Sequence, residues 1–171
     1  MSHHNIKCYE NIPNLPNITF QSLTEKENDI CGDISYNAHK HRLHIERYDV
    51  YSSPQNRAGF AHDLRNQKHG KTVDEACLLM KSNETPIGII EMVHVKNWNK
   101  KVGWIMDVAL HPDYQGMGLG KHLIEKSLSN LYHSGYETAG LGVTLTNKNA
   151  HQLYESLGFE DYEFFVEIMG Q

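Results

Sequence analysis

Basic side chains are scarce relative to acidic ones. Sixteen lysines and arginines face twenty-one aspartates and glutamates, a formal charge of −5. Nucleic acid is therefore disfavoured as the main partner, because gripping a phosphate backbone takes concentrated cationic side chains. Long apolar runs are missing too: none approaches the ~20 residues of a membrane helix, and mean hydropathy is −0.56. The opening Met1-Ser2-His3-His4-Asn5 lacks the basic and apolar regions of a secretory signal. Only three cysteines occur (Cys8, Cys31, Cys77), scattered and without a CxxC pair. That argues against a disulfide scaffold and a structural zinc site, and predicts a reducing, cytoplasmic setting. What is present is 171 residues with 39% hydrophobic content, enough for one core and one domain.

Residues 1–17 carry four asparagines and two prolines and read as an irregular N-terminal extension. A single domain is expected over 18–171. Ile18 to Leu23 alternates like a strand, and Thr24 with Glu27 forms a capping box at a helix start. The polar stretch from about 25 to 72 reads as helix and loop, broken at Ser53-Pro54. Ala76–Lys81, Ile87–Val95 and Val102–Leu110 are β-rich runs joined by short polar turns, which predicts an antiparallel meander. After Gly120 the period shifts. Leu119, Leu123, Ile124, Leu128 and Leu131 share one helical face, and Gly135 sits at the cap position. Val143-Thr144-Leu145 ends a further strand, Ala150 to Leu157 makes a short helix stopped by Gly158, and Tyr162 to Met169 reads as a last strand. The order predicts an α+β fold with a mixed, mostly antiparallel sheet flanked by helices.

Gln115-Gly116-Met117-Gly118-Leu119-Gly120 follows a strand and opens a helix. Alternating glycines let the main-chain N–H groups point into one concavity, and the helix start adds its positive end, which suits a pyrophosphate. Lys121 is placed to assist. A dinucleotide-binding loop does not fit, because these glycines follow an antiparallel meander instead of the first strand of a βαβ unit. A P-loop fails at His122, where a hydroxyl is required. A glycine-rich turn without a ligand is the remaining alternative for the glycines alone.

A second constellation decides between these. Ala109-Leu110-His111-Pro112 precedes the glycine segment. About thirty residues beyond the glycines stands Asn147, followed by Leu153-Tyr154 on a short helix and by Gly158-Phe159. In this order and spacing the chain resembles the GNAT superfamily of N-acetyltransferases, convincingly over 75–169. The resemblance implies a sheet splayed between the family's fourth and fifth strands, the fourth being 102–110 here. The pantetheine arm of acetyl-CoA would then hydrogen-bond to Val108, Ala109 and Leu110. The pyrophosphate would lie over Gln115, Gly116, Met117, Gly118, Leu119, Gly120 and Lys121, and Asn147 would reach the cofactor arm as well as capping its helix.

Tyr154 matches the tyrosine that faces the thioester sulfur in this family. A phenol (pKa ~10) is a weaker acid than a thiol (~8.5), so full transfer in water would be uphill by roughly 2 kcal/mol. A desolvated thiolate narrows that gap, and hydrogen bonding to the developing charge is the minimal role. Tyr154 also lies on the apolar face of its helix, where a core aromatic would sit. An alkylammonium acceptor must also lose a proton, at about 4.6 kcal/mol at pH 7. Asp107 and Glu91 are the candidate bases, with His94 a third and a water relay the alternative. By strand alternation Trp104 and Met106 share a face with Val108 and Leu110, whereas Asp107 points away.

The resemblance implies acetyl transfer from acetyl-CoA to a primary amine by direct attack in a ternary complex. No cysteine lies in the cofactor motifs to form an acyl-enzyme, and no metal is called for. A non-catalytic acyl-CoA-binding module is the competing reading. His39, His41 and His44 are dense enough to suggest a metal but read as a solvated helix face. Trp104 reads as core or pocket wall. Glu160-Asp161, Glu163 and Glu167 make the C-terminal strand acidic, which with the negative net charge reads either as favouring a cationic acceptor, whose identity is open, or as a solvated face. Residues 1–17 are placed to cover the acceptor site or to mediate homodimerisation.

Overall fold

The computed structural model describes residues 1–4, 6, 9, 14–41, 49–97, 100–144 and 146–161. Four helices and seven strands are described: β1 Ser2–His4, β2 Ile18–Ser22, α1 Asn28–His39, α2 Pro54–Arg65, β3 Lys71–Thr72, β4 Leu78–Ser82, β5 Thr85–Asn97, β6 Lys100–Leu110, α3 Leu119–His133, β7 Thr138–Leu141 and α4 Lys148–Ser156. They form one sheet in the order β1-β7-β6-β5-β4-β2, with β3 pairing β5. All pairings are antiparallel except β6 with β7. The α+β architecture and the meander 78–110 stand as expected.

Several local expectations hold and others move. Thr24 and Glu27 form the capping box, over a 3-10 turn that leads into α1. Gly135 and Gly158 adopt positive φ just past α3 and α4. Ser53-Pro54 is a helix start, not a break: the Ser53 side chain accepts from the Asn56 N–H, and Pro54 occupies the first turn. The strand expected to end at Val143–Leu145 ends at Leu141 instead. Its small residues Ala139 and Gly140 hid it from a hydrophobicity pattern. Glycine is required there because a Cβ on residue 140 would stand 2.7 Å from the Trp104 ring. The lead-in is not wholly irregular, since Ser2–His4 pairs with β7. The expected last strand, Tyr162–Met169, falls outside the described residues.

Two layers of helix cover the sheet. α3 buries Leu119, Leu123, Ile124, Leu128 and Leu131 along one stripe, and each such side chain contributes about 1.5–3 kcal/mol. On the opposite face α1 presents Cys31, Ile34, Ser35 and His39, and α2 presents Arg57, Ala61 and Leu64. The two helices cross at Gly32, where a Cβ would collide with the Pro54 carbonyl and Ala58.

A bulge in β6 sets up everything that follows. Glu91 pairs with Asp107 but Met92 with Ile105, so Met106 is the extra residue. The faces confirm it. A Cβ on Gly103 would touch Leu131 of α3, and one on Gly88 would touch Leu123 of α3 and the Leu110 side chain. Gly103 and Leu110 therefore both face α3 although their numbers differ by an odd count, which an unbroken strand forbids. Asp107 points to the α1/α2 face, as alternation from Leu110 requires. Trp104, beyond the bulge, does not share Leu110's face as expected.

Candidate active site

Past the bulge, β6 loses its neighbour. β7 pairs only with Val102–Ile105. Among the described residues no strand pairs with Val108–Leu110 on that side. Their carbonyls and amides there form an open strand edge. Gln115 ties off the end of this edge, its side-chain amide donating to the Leu110 carbonyl at 2.9 Å.

The glycine segment lies immediately beyond. Gly116 and Gly118 have φ of +76° and +78°, and a Cβ on either would meet nothing within 4 Å. Positive φ explains glycine at both positions, and the open space leaves the backbone approachable. No acceptor within the described residues takes the amides of 116–121; the first helical bond runs from the His122 amide to the Gly118 carbonyl. Free N–H groups at a helix start make an anion-binding concavity. The side chains stand apart from it. Met117 is exposed, Leu119 is buried in the core, and Lys121 Nζ sits 3.9 Å from Glu125. His122, which replaces the P-loop hydroxyl, turns inward against Phe20.

A cavity of about 610 Å³ joins these parts. Val108, Ala109 and Leu110 line it together with Gln115, Gly116, Gly118, Gly120, Lys121, Asn147 and Tyr154, and Ala38 of α1 closes one side. Asn147 caps α4, its Oδ1 accepting from the Ala150 amide at 3.4 Å, which leaves its NH₂ available to a ligand. Tyr154 is 7% exposed and packs edge-on against Phe159, with centroids 5.7 Å apart. Ten of the fourteen expected site residues thus line one cleft. Met117 and Leu119 lie outside its lining. The chemistry this permits is capture of an extended amide-bearing arm along β6, with its anionic end over 116–121.

Asp107 and Glu91 lie apart from that cleft, in a buried ionic cluster beneath α1 and α2. Arg57 Nη2 and Ser35 Oγ both donate to Asp107 Oδ2, and His39 Nε2 stands 3.1 Å from Oδ1. Burial pushes the Asp107 carboxyl up, but the Arg57 guanidinium, with His39 and Ser35, outweighs it and holds the group well below the carboxylate range. Glu91 accepts from Arg65 at 2.9 Å. Here burial prevails over the arginines and, helped by the Asp107 charge, raises the carboxyl to about 7. Arg57 also donates from Nε to Ser35 and lies between the Tyr51 and Phe60 rings, 4.7 Å from each. His94, the third candidate base, packs edge-on against Tyr136 on the other face.

His39 was expected on a solvated face; instead it is 7% exposed and bonded to Asp107. The signal was present in α1: Cys31, Ser35 and His39 recur every four residues and so share a face. His41 is exposed and His44 lies outside the described residues. No group of His, Cys, Asp and Glu among the described residues is arranged to hold a metal.

A family model described as Acetyltransferase (GNAT) family matches residues 36–159. No curated protein matches the sequence. Among solved structures, the ribosomal-protein-S18-alanine N-acetyltransferase of Escherichia coli is 24% identical, with 85% of this chain and 79% of that one covered at a TM-score of 0.65. YncA of Salmonella typhimurium, a putative acetyltransferase solved with acetyl-CoA, is 19% identical over 84% and 80%, with a TM-score of 0.64. Naa50 of Arabidopsis thaliana, solved with a bisubstrate analogue CoA-Ac-MVNAL, is 17% identical over 86% and 85%, with a TM-score of 0.62. At these identities the likeness is one of fold.

Proposed function

The chain belongs to the GNAT acetyltransferase family, and we propose that it moves the acetyl group of acetyl-CoA to a primary amine by direct attack within a ternary complex. The observation that carries this reading is the opened edge of β6. Val108–Leu110 lies in the same cleft as the free amides of 116–121 and Tyr154. An arm with amides of its own would add to that edge as a strand, and the diphosphate would take the loop and helix N–H groups. Acetyl-CoA carries both features and supplies the activated acyl group. Asn147 would reach the arm, and Lys121 would add charge at the diphosphate.

Direct attack is supported by the state of the two described cysteines. Cys31 and Cys77 are buried. Burial pushes the Cys77 thiol up to about 12 and raises Cys31 further, so neither is a ready nucleophile at neutral pH. Such free thiols also suit the cytoplasm. Tyr154 would hydrogen-bond to the departing sulfur. The acceptor's proton would leave by a water relay under the influence of Asp107 and Glu91, because arginines engage both carboxylates and burial keeps them from contact with an acceptor. Among the described residues no helix is long and apolar enough to cross a membrane.

The test is thiol release from acetyl-CoA with a panel of primary amines. Intersecting lines in double-reciprocal plots are expected, and parallel lines would overturn direct attack. Tyr154→Phe should lower kcat by ~10²-fold or more if proton donation matters, with acetyl-CoA affinity nearly kept. Absence of turnover with every amine, alongside tight acetyl-CoA binding, would favour a binding module.

A further inference from the structure

His39 closes α1 directly after Ala38, which lines the acyl cleft, and its partner Asp107 directly precedes Val108, which lines the same cleft. Each member of the pair is thus one residue along the chain from the cleft lining. Asp107 is an acceptor in all its contacts: Oδ2 takes hydrogen bonds from Ser35 Oγ and Arg57 Nη2, and Oδ1 faces His39 Nε2 at 3.1 Å. A carboxylate beside a guanidinium has no proton to offer, so the hydrogen in the His39 contact sits on Nε2. Neutral His39 then carries its lone pair on Nδ1. No described residue hydrogen-bonds to that nitrogen. The Tyr51 ring stands edge-on to the imidazole, 5.4 Å away at 87°, and fixes its plane.

We propose that His39 accepts, at Nδ1, the proton shed by the acceptor ammonium, directly or through one water, and that Asp107 is its positioning residue. This rests on the amine-acetylation reading above. The steps balance. One proton passes from the ammonium to Nδ1 and on to solvent. The neutral amine forms its N–C bond to the acetyl carbon as the C–S bond breaks, and the amine's second proton ends on sulfur as the thiol. Asp107 contributes twice, by holding the tautomer and by stabilising the imidazolium. Neither carboxylate offers this service itself. Glu91 is 0% exposed and bonded to Arg65, and Asp107 is saturated by its partners.

Charged and polar groups surround the imidazole. Ser35, Lys40 and His41 lie on or next to α1, Asp107 comes from β6, and Tyr51 from the turn before α2. Arg57 of α2 acts through Asp107, and Glu91 of β5 lies 3.9 Å from Arg57 with Arg65 behind it. Among the described residues Asp107 alone contacts the imidazole by an ion pair.

The test compares wild type, His39→Gln and His39→Ala by the pH profile of kcat/KM for thiol release, with spermidine, free lysine and an alanine-initiated peptide as amines. For His39→Gln we expect loss of ~10²-fold or more at neutral pH, disappearance of the acidic limb and unchanged affinity for CoA. For His39→Ala we expect partial recovery with added imidazole. A limb that persists in His39→Gln, with a rate within threefold of wild type, belongs to another group and overturns the role. Ring ¹⁵N shifts of the wild-type protein supply a reading independent of variant folding: a neutral His39 protonated on Nδ1 overturns the proposal. Wild type inert to all three amines would instead overturn amine acetylation itself, and the proposal with it.

Discussion

Glu91 and Asp107 are direct partners across β5 and β6, yet one carboxyl is raised to about 7 by burial and the other is held well below its usual range in spite of burial. The difference comes from the arginines. Arg57 contacts Asp107 closely but stands 3.9 Å from Glu91, which relies on Arg65. Arg65 Nε and Nη1 and Glu91 Oε2 have no hydrogen-bond partner. The Glu91 side is thus incompletely satisfied, and the Asp107 side is saturated.

Removing Arg57 should therefore hurt more than its size suggests. Arg57→Met keeps much of the volume but leaves Asp107 as a buried, half-paired charge. A loss of about 3–5 kcal/mol is expected, read as a lowered midpoint in urea. Arg57→Lys should recover only part of it, because an ammonium cannot bond Ser35 and Asp107 as a fork while lying between two rings. Equal midpoints for Arg57→Lys and wild type would show that the fork geometry is immaterial.

The same cluster gives stability a pH dependence of two signs. The Glu91 carboxyl holds its proton more tightly folded than unfolded, so its contribution is fullest below pH 4.5 and is lost as pH rises to about 7. Asp107 works the other way: its contribution is present above pH 3.8 and is lost as pH falls below that value. Glu91→Gln should flatten the stability curve between pH 4.5 and 7 relative to wild type, by up to about 3 kcal/mol. Urea midpoints measured at several pH values give the comparison. Curves that stay parallel would remove Glu91 as the titrating group.

The helix and strand sequence was largely legible because apolar spacing in α3 and the meander is strong, and because Thr24, Gly135 and Gly158 are punctuation with a steric reason. β7 was misplaced because two of its four residues, Ala139 and Gly140, are small, Gly140 because the Trp104 ring leaves no room for a Cβ. The cleft beside β6 was legible because main chain builds it: glycines at positive φ announce themselves in sequence. The ionic cluster was not. It joins Ser35, Arg57, Glu91 and Asp107 through the crossing of α1 over α2 at Gly32 and the Met106 bulge, and neither long-range contact has a local signature. His39 was misread for the same reason, since its partner lies far along the chain.

The amide loop makes a sharp demand on Gly118. Alanine there must hold φ near +78°, at about 1 kcal/mol or more of strain, although the space above is open. Gly118→Ala should lower stability modestly and weaken CoA binding by about fivefold or more, as the loop relaxes and the amides turn. Lys121→Ala should weaken binding less, because amides supply most of the grip. Calorimetric titration with CoA ranks the two. The reverse order would shift the anion site from main chain to side chain.

The far wall of the splay depends on Gly140. A Cβ at that residue would stand 2.7 Å from Cε3 and Cζ3 of Trp104, on the strand whose pairing with β6 stops at Ile105. The ring must move or β7 must shift away from β6. Gly140→Ala should cost about 1–3 kcal/mol and also weaken CoA binding, since the gap between β6 and β7 changes width. In Gly140→Ala/Trp104→Leu the new methyl fits under the smaller side chain. The pair should therefore couple favourably, with a double-mutant interaction energy of about 1 kcal/mol or more. Urea melts of the four proteins measure the coupling. Simple additivity would mean that the two residues do not press on each other, and that something other than this contact fixes the position of β7.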